Sequence, residues 1–481
     1  MSEVAKGKDV KYYINVIVML LLMFGFGFLP PIDPITPLGM RVLGIFLGMI
    51  WAWSTIGFLW TSLLAIFAMA FTGMYTVTDI FSVSFGNDTT LLVLFTLIFA
   101  AYMTQTGLTK YIGLWFISRK IVTGRPYVLA IMIFLANYIC GGILNAIACF
   151  LICWAIIEEM CDALGMDRRS EYPVFLIIGC VATGVMGTTL FMFRPIAAIM
   201  TGTVTTMMNI TPTFVQFLAV NMIATIIAIA LFIAFEKFIR KPDVSKFTVG
   251  EDFFEKYRDI TMTKDQKIAL LAMGVFLIWI LLQSTLPDEW AITVFLNKFT
   301  ATHICCVVMM LLVALQIKGK SIMDFQKAAS QGVNWEIIIM TASTIPIGNM
   351  LRAEDTGITQ FLSSWMSNTL SGIHSVLVVV VLLLLVCVLT QFVHNMVLAV
   401  VLTPIIVNLS VALDLNVLVI TTLASLLVSV GLGTPGGSAH AALVFANENV
   451  STKYAFLFGW VAVICLYIGC IICIPIANMV Y

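Results

Sequence analysis

The chain has 481 residues, 61% of them hydrophobic and 10% charged, with 25 basic residues against 25 acidic ones. No soluble domain is this apolar, and the apolar runs are continuous rather than alternating, so a polytopic helical membrane protein is indicated and a β-barrel excluded. The balanced charge gives no basic surface for nucleic acid, and no DDxxD, HExxH or P-loop pattern supports a membrane enzyme or an ATP-driven pump.

Lys6, Lys8 and Lys11 precede an apolar run, Tyr13–Leu29, that ends in Leu29-Pro30-Pro31 without a small-residue cleavage site. It reads as a retained first span. Further spans are expected near Leu38–Trp53, Phe58–Thr76 and Thr90–Gly107. Tyr111–Val122 sets Trp115 and Phe116 against Arg119 and Lys120, the pattern of a helix lying on a membrane surface. Residues 126–161 are uncharged until Glu158 and are interrupted at Gly141-Gly142-Ile143-Leu144-Asn145. Two arms of about 15 residues, about 22 Å each, fall short of a bilayer core. This predicts a re-entrant hairpin, the alternative being two ordinary spans with a tight turn. Residues 173–208 read as a helix broken at Gly184, Gly187-Thr188-Thr189 and Arg194-Pro195. A span follows at Phe214–Phe235, then a charged linker, Lys237–Lys267.

The order of parts then repeats. Spans are expected at Ala269–Leu286, Ala301–Leu315 and Ile337–Leu351, with an amphipathic piece at Ser321–Ala329. A surface segment, Thr359–Leu370, carries Phe361, Leu362, Trp365 and Met366. A second hairpin, residues 375–413, is interrupted at Thr390-Gln391-Phe392-Val393-His394-Asn395. A second broken helix, residues 416–446, contains Gly431-Leu432-Gly433-Thr434-Pro435-Gly436-Gly437-Ser438-Ala439-His440, which cannot be continuous helix. Both breaks contain Gly-Thr, at Gly187-Thr188 and Gly433-Thr434. A last span is expected at Tyr454–Ala477. The predicted fold is an all-α polytopic membrane protein with about 11 transmembrane helices plus two re-entrant hairpins, built as two inverted repeats with broken helices. The first repeat covers residues 13–239, a cytoplasmic linker 240–267, and the second repeat 268–481. With the N-terminus cytoplasmic, 21 of the 25 basic residues fall on the inside. The 11 cysteines have neither zinc spacing nor a disulfide pattern and read as small core residues.

Arg194 is the sharpest candidate for chemistry. A charge at mid-membrane costs about 2.5–3.5 kcal/mol on insertion scales and calls for a partner or a role. Residues 173–208 hold no acidic partner, so a fork of donors for an anion is expected. The alternative is an arginine tied to carbonyls freed by the break. His440 takes the matching place in the second break, and His394 sits at the second hairpin tip. Either can donate to an anion or carry a proton. Asn145 and Asn395 begin the second arm of each hairpin, where Asn caps a helix whose N-terminal end favours negative charge. The predicted substrate contacts are Asn145, Asn395, Arg194, Thr188, Thr434, His440 and His394. Carbonyls freed at the breaks suit a cation, which points to Gly187 and Gly433 with Asn145 and Asn395. Apart from Glu336, which begins a span, the acidic residues fall at span ends or in loops: Asp79, Asp88, Glu158, Glu159 and Asp355 among them. The lack of a buried carboxylate favours an anion as cargo.

At these residues the chain resembles the divalent anion:sodium symporter family, within the wider ion-transporter (citrate-transporter-like) superfamily. Thr106-Gly107-Leu108 before the surface helix and Gly433-Thr434-Pro435 in the second break look like that family's motifs. The family carries Ser-Asn-Thr at each hairpin tip, binding sodium and substrate carboxylate. Here the triplets are Leu144-Asn145-Ala146 and His394-Asn395-Met396, which keep only the Asn. The lost hydroxyls weaken the case for sodium, and Arg194 and His394 then supply part of its positive field. The resemblance implies a homodimer and an elevator-like motion. The expected function is secondary active transport of a small anion, a di- or tricarboxylate, in a cell (inner) membrane by alternating access. No cofactor is expected beyond Na+ or H+ as coupling ion. The alternatives are a cation/proton antiporter of the same superfamily, which needs a buried carboxylate, or a non-transporting membrane sensor or scaffold.

Overall fold

The computed structural model describes residues 10–481 except 246, 248–250, 259, 318, 363 and 365–373. The described residues are almost entirely helical, apart from a small hairpin, β1 (Gln316–Ile317) and β2 (Lys320–Ser321). Eight helices are long and apolar enough to cross a membrane, and seven shorter apolar helices of 10–17 residues accompany them.

Helix α1 (Val10–Leu20) continues through tighter and looser turns to Phe28. The Thr36 hydroxyl accepts from Gly39 N and caps α2 (Pro37–Thr55). The predicted span Phe58–Thr76 is instead α3 (Leu59–Ala70), only 12 residues long, followed by α4 (Val77–Phe85). Gly73 adopts φ 84° and Thr76 caps α4 by accepting from Asp79 N, so local chemistry ends one helix and starts the next. The fourth predicted span is α5 (Asp88–Gln105). The amphipathic stretch becomes α6 (Leu108–Ile117), which buries Leu108, Leu114 and Ile117 against the protein and leaves Trp115 exposed, with Arg119 stacked 4.3 Å from its ring centre.

The first hairpin is α7 (Pro126–Ile143) and α8 (Ala146–Ala163), each of 18 residues. Its arms are longer than predicted, about 27 Å at the helical rise. The helix runs through Gly141 and Gly142 because their missing side chains are used for packing. A Cβ at Gly141 would lie 2.0 Å from the Gly184 carbonyl oxygen. The interruption is therefore confined to Leu144-Asn145. The first broken helix is α9 (Glu171–Gly187) and α10 (Pro195–Met208), followed by α11 (Phe214–Ala234), which extends to Arg240 in a wider turn. The linker holds a helix that the sequence does not predict, α12 (Glu251–Arg258), which buries its own Phe254; Phe247, ahead of it, is buried too.

The second half opens with α13 (Lys264–Thr285), an unpredicted short α14 (Ala291–Leu296) and α15 (Ala301–Ala314). Then come α16 (Phe325–Gly332) and α17 (Trp335–Arg352). Of the predicted surface segment, residues 358–362 are helical, while Trp365 and Met366 lie outside the described residues. The second hairpin is α18 (Ser375–Leu389) and α19 (Asn395–Ala412). The second broken helix is α20 (Val417–Ser429) and α21 (Ala439–Ala446), and α22 (Thr452–Val480) closes the chain.

Each half thus ends in hairpin, broken helix and long helix. Each hairpin packs on its own broken helix, α7 and α8 on α9, α18 and α19 on α20. The long helices α11 and α22 lie along each other, with Gly469 against the Ala224 backbone. One apolar cluster unites these parts with α5, α6, α13 and α15. A second joins α2 and α3 to α17 and to Met396, Val397 and Val400 of α19.

Candidate functional site

A cavity of about 550 Å³ lies where the first hairpin tip meets both breaks. Asn145, Thr188, Arg194 and His440 line it, from α8, the first break and α21. Asn145 caps α8 as predicted: its Oδ1 accepts from Ile147 N at 2.9 Å and Ala148 N at 3.3 Å. Its amide nitrogen is left for the cavity. Thr188 donates its hydroxyl to the Val185 carbonyl at 2.7 Å and keeps acceptor capacity. Arg194 stands just before Pro195, the first residue of α10. Its Nε is buried without a hydrogen-bond partner, and it forms no ion pair among the described residues. The alternative reading, an arginine tied to freed carbonyls, is not what the structure contains. His440, in the first turn of α21, packs edge-on to Phe150 of α8, ring centres 6.2 Å apart.

Three helix N-termini, those of α8, α10 and α21, therefore meet at one cavity that holds a single cationic side chain and no carboxylate. The positive dipole ends of those termini favour a negative ligand, although Asn145 and Ser438 already cap N–H groups of α8 and α21 and α10 begins with Pro195. The facing wall supplies Thr104 and Gln105 of α5 and Gln331 of α16. Gln105 Nε2 donates to Gln331 Oε1 at 2.8 Å and so joins the two helices at the cavity wall. The sequence reading passed over these three. The only signal was polar residues closing an otherwise apolar span, which is common at any membrane interface.

The remaining predicted residues lie elsewhere. Asn395 is not a cap: it is the first residue of α19, and the cap is His394, whose Nδ1 accepts from Met396 N at 3.3 Å. The Asn395 amide donates to the Ser429 carbonyl at 2.7 Å and its Oδ1 accepts from Thr390 at 3.1 Å, tying the hairpin tip to the end of α20. His394 faces a separate cavity of about 90 Å³ with Glu336 and Asn334, its ring 4.9 Å from that of Phe58. Thr434 donates to the Gln391 carbonyl. Gln391, fully buried, accepts from Gly433 N at 2.7 Å and donates to the Val430 carbonyl at 3.0 Å. Ser438 donates to the Gly431 carbonyl at 2.8 Å. Around the second break the Ser429, Val430 and Gly431 carbonyls accept from side chains, while Gly433 donates its N–H to Gln391. In the first break, Gly187 allows close packing, since a Cβ there would lie 2.1 Å from the Tyr138 carbonyl oxygen.

One carboxylate departs from expectation. Glu236, at a span end, has no exposed surface, and neither of its oxygens has a hydrogen-bond partner. Tyr127 of α7, Glu171 and Tyr172 of α9, Arg240 of its own segment and Tyr454 of α22 lie within electrostatic range of it.

A family described as "Citrate transporter" matches residues 46–429. The crystal structure of the Alcanivorax borkumensis YdaH transporter, described as having an unusual topology, shares the fold with a TM-score of 0.62. It is 12% identical, and the match covers 97% of this chain and 98% of that one. No curated protein sequence matches the chain.

Proposed function

The chain belongs to the citrate transporter family, and on that premise we propose that this membrane transporter is a secondary active carrier of a di- or tricarboxylate. The observation that carries the proposal is Arg194, a half-buried side chain whose Nε is buried and which has no ionic partner among the described residues, lining a cavity where three helix N-termini meet. The cavity is large enough for a small organic acid. Arg194 holds one carboxylate through charge-assisted hydrogen bonds. Asn145, Thr188 and His440 complete that wall, and Thr104, Gln105 and Gln331 receive the far end of the ligand. Asn395 and Thr434 act indirectly, by fixing the second hairpin to its break.

Alternating access is part of this reading: the hairpin-containing part moves elevator-like, in a homodimer within the inner membrane. The N-terminus is cytoplasmic. The coupling ion in this reading is a proton or sodium, or transport proceeds by exchange. Glu236 favours a second reading, cation/proton antiport, because that chemistry needs a buried carboxylate.

Purified protein in liposomes tests this with labelled succinate, citrate and sulfate, each with and without a sodium or proton gradient. Uptake or exchange of at least one carboxylate is expected. Arg194→Ala should lower it about 10- to 100-fold, the loss of charge-assisted bonds of roughly 1.5–3 kcal/mol. No movement of any anion overturns the proposal, and unchanged uptake in Arg194→Ala removes the role given to that residue.

A further inference from the structure

Helices α5 and α10 run past a second cavity, of about 390 Å³, at the end opposite the first, where threonines and Asp88 interrupt a mostly apolar lining. The first uses the α5 segment Leu97–Gln105, and the second uses Asn87, Asp88, Thr89 and Leu92. Leu92 and Leu97 are five residues apart, about 7.5 Å along the helix. The second cavity is rich in hydroxyls, including Thr201, Thr205 and Thr206 of α10, Thr211 and Thr300. Its carboxylate, Asp88, sits in the first turn of α5, where the helix N-terminus offsets its charge, and accepts from the Thr300 hydroxyl at 2.8 Å.

The wall between the cavities is thin. Met192 and Phe193 line the second cavity, and the next residue, Arg194, lines the first. The Phe193 carbonyl accepts from Thr96 of α5 at 3.3 Å, which holds the break against that helix. Val93, Ala198 and Ile338 form a small separate apolar layer beside it, contributed by α5, α10 and α17. Below that layer the α10 backbone packs closely on the Thr89 side chain of α5: a Cβ at Gly202 would lie 2.3 Å from Thr89 Oγ1.

We propose that the second cavity is the other access chamber for the transported anion, and that Met192–Arg194 with the Val93–Ala198–Ile338 layer is the gate between the two chambers. This rests on the transporter reading above. The chemistry divides accordingly. The chamber with Arg194 binds, while the hydroxyl-lined chamber passes a hydrated anion without holding it, as an entry or exit route requires.

Thr206 is exposed at this cavity, so Thr206→Cys tests the proposal with a negatively charged, membrane-impermeant sulfonatoethyl thiosulfonate. The native cysteines are buried except the half-buried Cys306, and the parent protein is treated in parallel. The anion is whichever of succinate, citrate and sulfate the parent transports. Modification from the side of this chamber should reduce uptake tenfold or more, while binding of the same anion in detergent stays within twofold. Complete modification with unchanged uptake overturns the proposal. So does failure of the cysteine to react, since the chamber must then be closed to water, or equal loss of binding and uptake. A parent protein that moves none of the three anions instead removes the transporter reading on which the gate depends.

Discussion

Glu236, fully buried, and Arg194, half-buried with its Nε enclosed, both carry buried polar atoms that lack partners among the described residues, and they sit in different surroundings. Arg194 opens on a cavity, whereas Glu236 has phenols and an arginine from several helices within electrostatic range. An ionised carboxylate without water or a hydrogen-bond donor costs several kcal/mol, so proton binding at Glu236 is linked to the packing of α7, α9, α11 and α22. Glu236→Gln keeps the shape and removes the titration. In liposomes it should abolish stimulation of uptake by a proton gradient while leaving gradient-free exchange within twofold. A gradient response equal to that of the parent would exclude Glu236 from coupling. At this scale the sequence was a partial guide. Arg194 stands out as the one charge in a long uncharged run. Glu236 does not, because a carboxylate at a span end ordinarily reaches water, and only the fold of the linker and neighbouring helices covers it. Asn145 and Asn395 show the same limit. Both begin a helical arm, yet one caps and the other bridges to α20, because His394 takes the cap that the residue spacing assigns to Asn395.

Elements were more legible than side-chain partners. Uncharged runs interrupted by glycine, proline and asparagine identify both hairpins and both broken helices, since backbone that leaves the helix within the membrane must be satisfied by protein or a wet cavity. Element lengths were less legible. Glycine reads as a break, but Gly141 and Gly142 remain helical because α7 uses them to reach α9. Gly141→Ala should therefore destabilise the protein by about 1–3 kcal/mol through overpacking, seen as a lower melting temperature in detergent. Gly274→Ala in α13, where a Cβ would meet nothing within 4 Å, should be neutral or stabilising by up to about 1 kcal/mol from helix propensity. Equal melting temperatures for the two variants would contradict this account of the hairpin contact.

For the whole molecule, the family assignment agrees with the resemblance read from the motifs, and the likeness to a transporter of 12% identity shows how much of the architecture survives sequence divergence. Polar contacts gather the charged loops at one end. Arg168 pairs with Glu158 and Asp162, Arg240 with Glu171, and Asn449 donates to Glu158. These loops carry many of the basic residues that the positive-inside rule places in the cytoplasm. The other end of α22 lies beside the start of α11, where Gln216 donates to the Val480 carbonyl at 2.8 Å. Alkaline phosphatase fused after Tyr481 should accordingly be active in cells, and the same enzyme inserted at Lys246 inactive. The reverse pattern would invert the orientation.

The thin wall between the two cavities also has an electrical consequence. With both chambers filled by electrolyte, the membrane voltage no longer falls across the full bilayer. It falls across the few ångströms around Phe193 and Arg194, where the field becomes several times steeper. A unit charge crossing that step exchanges about 2.3 kcal/mol with each 100 mV. On the proposed gate, Arg194 lies at the edge of that step, and its displacement would carry gating charge that a transient current in a planar bilayer would register.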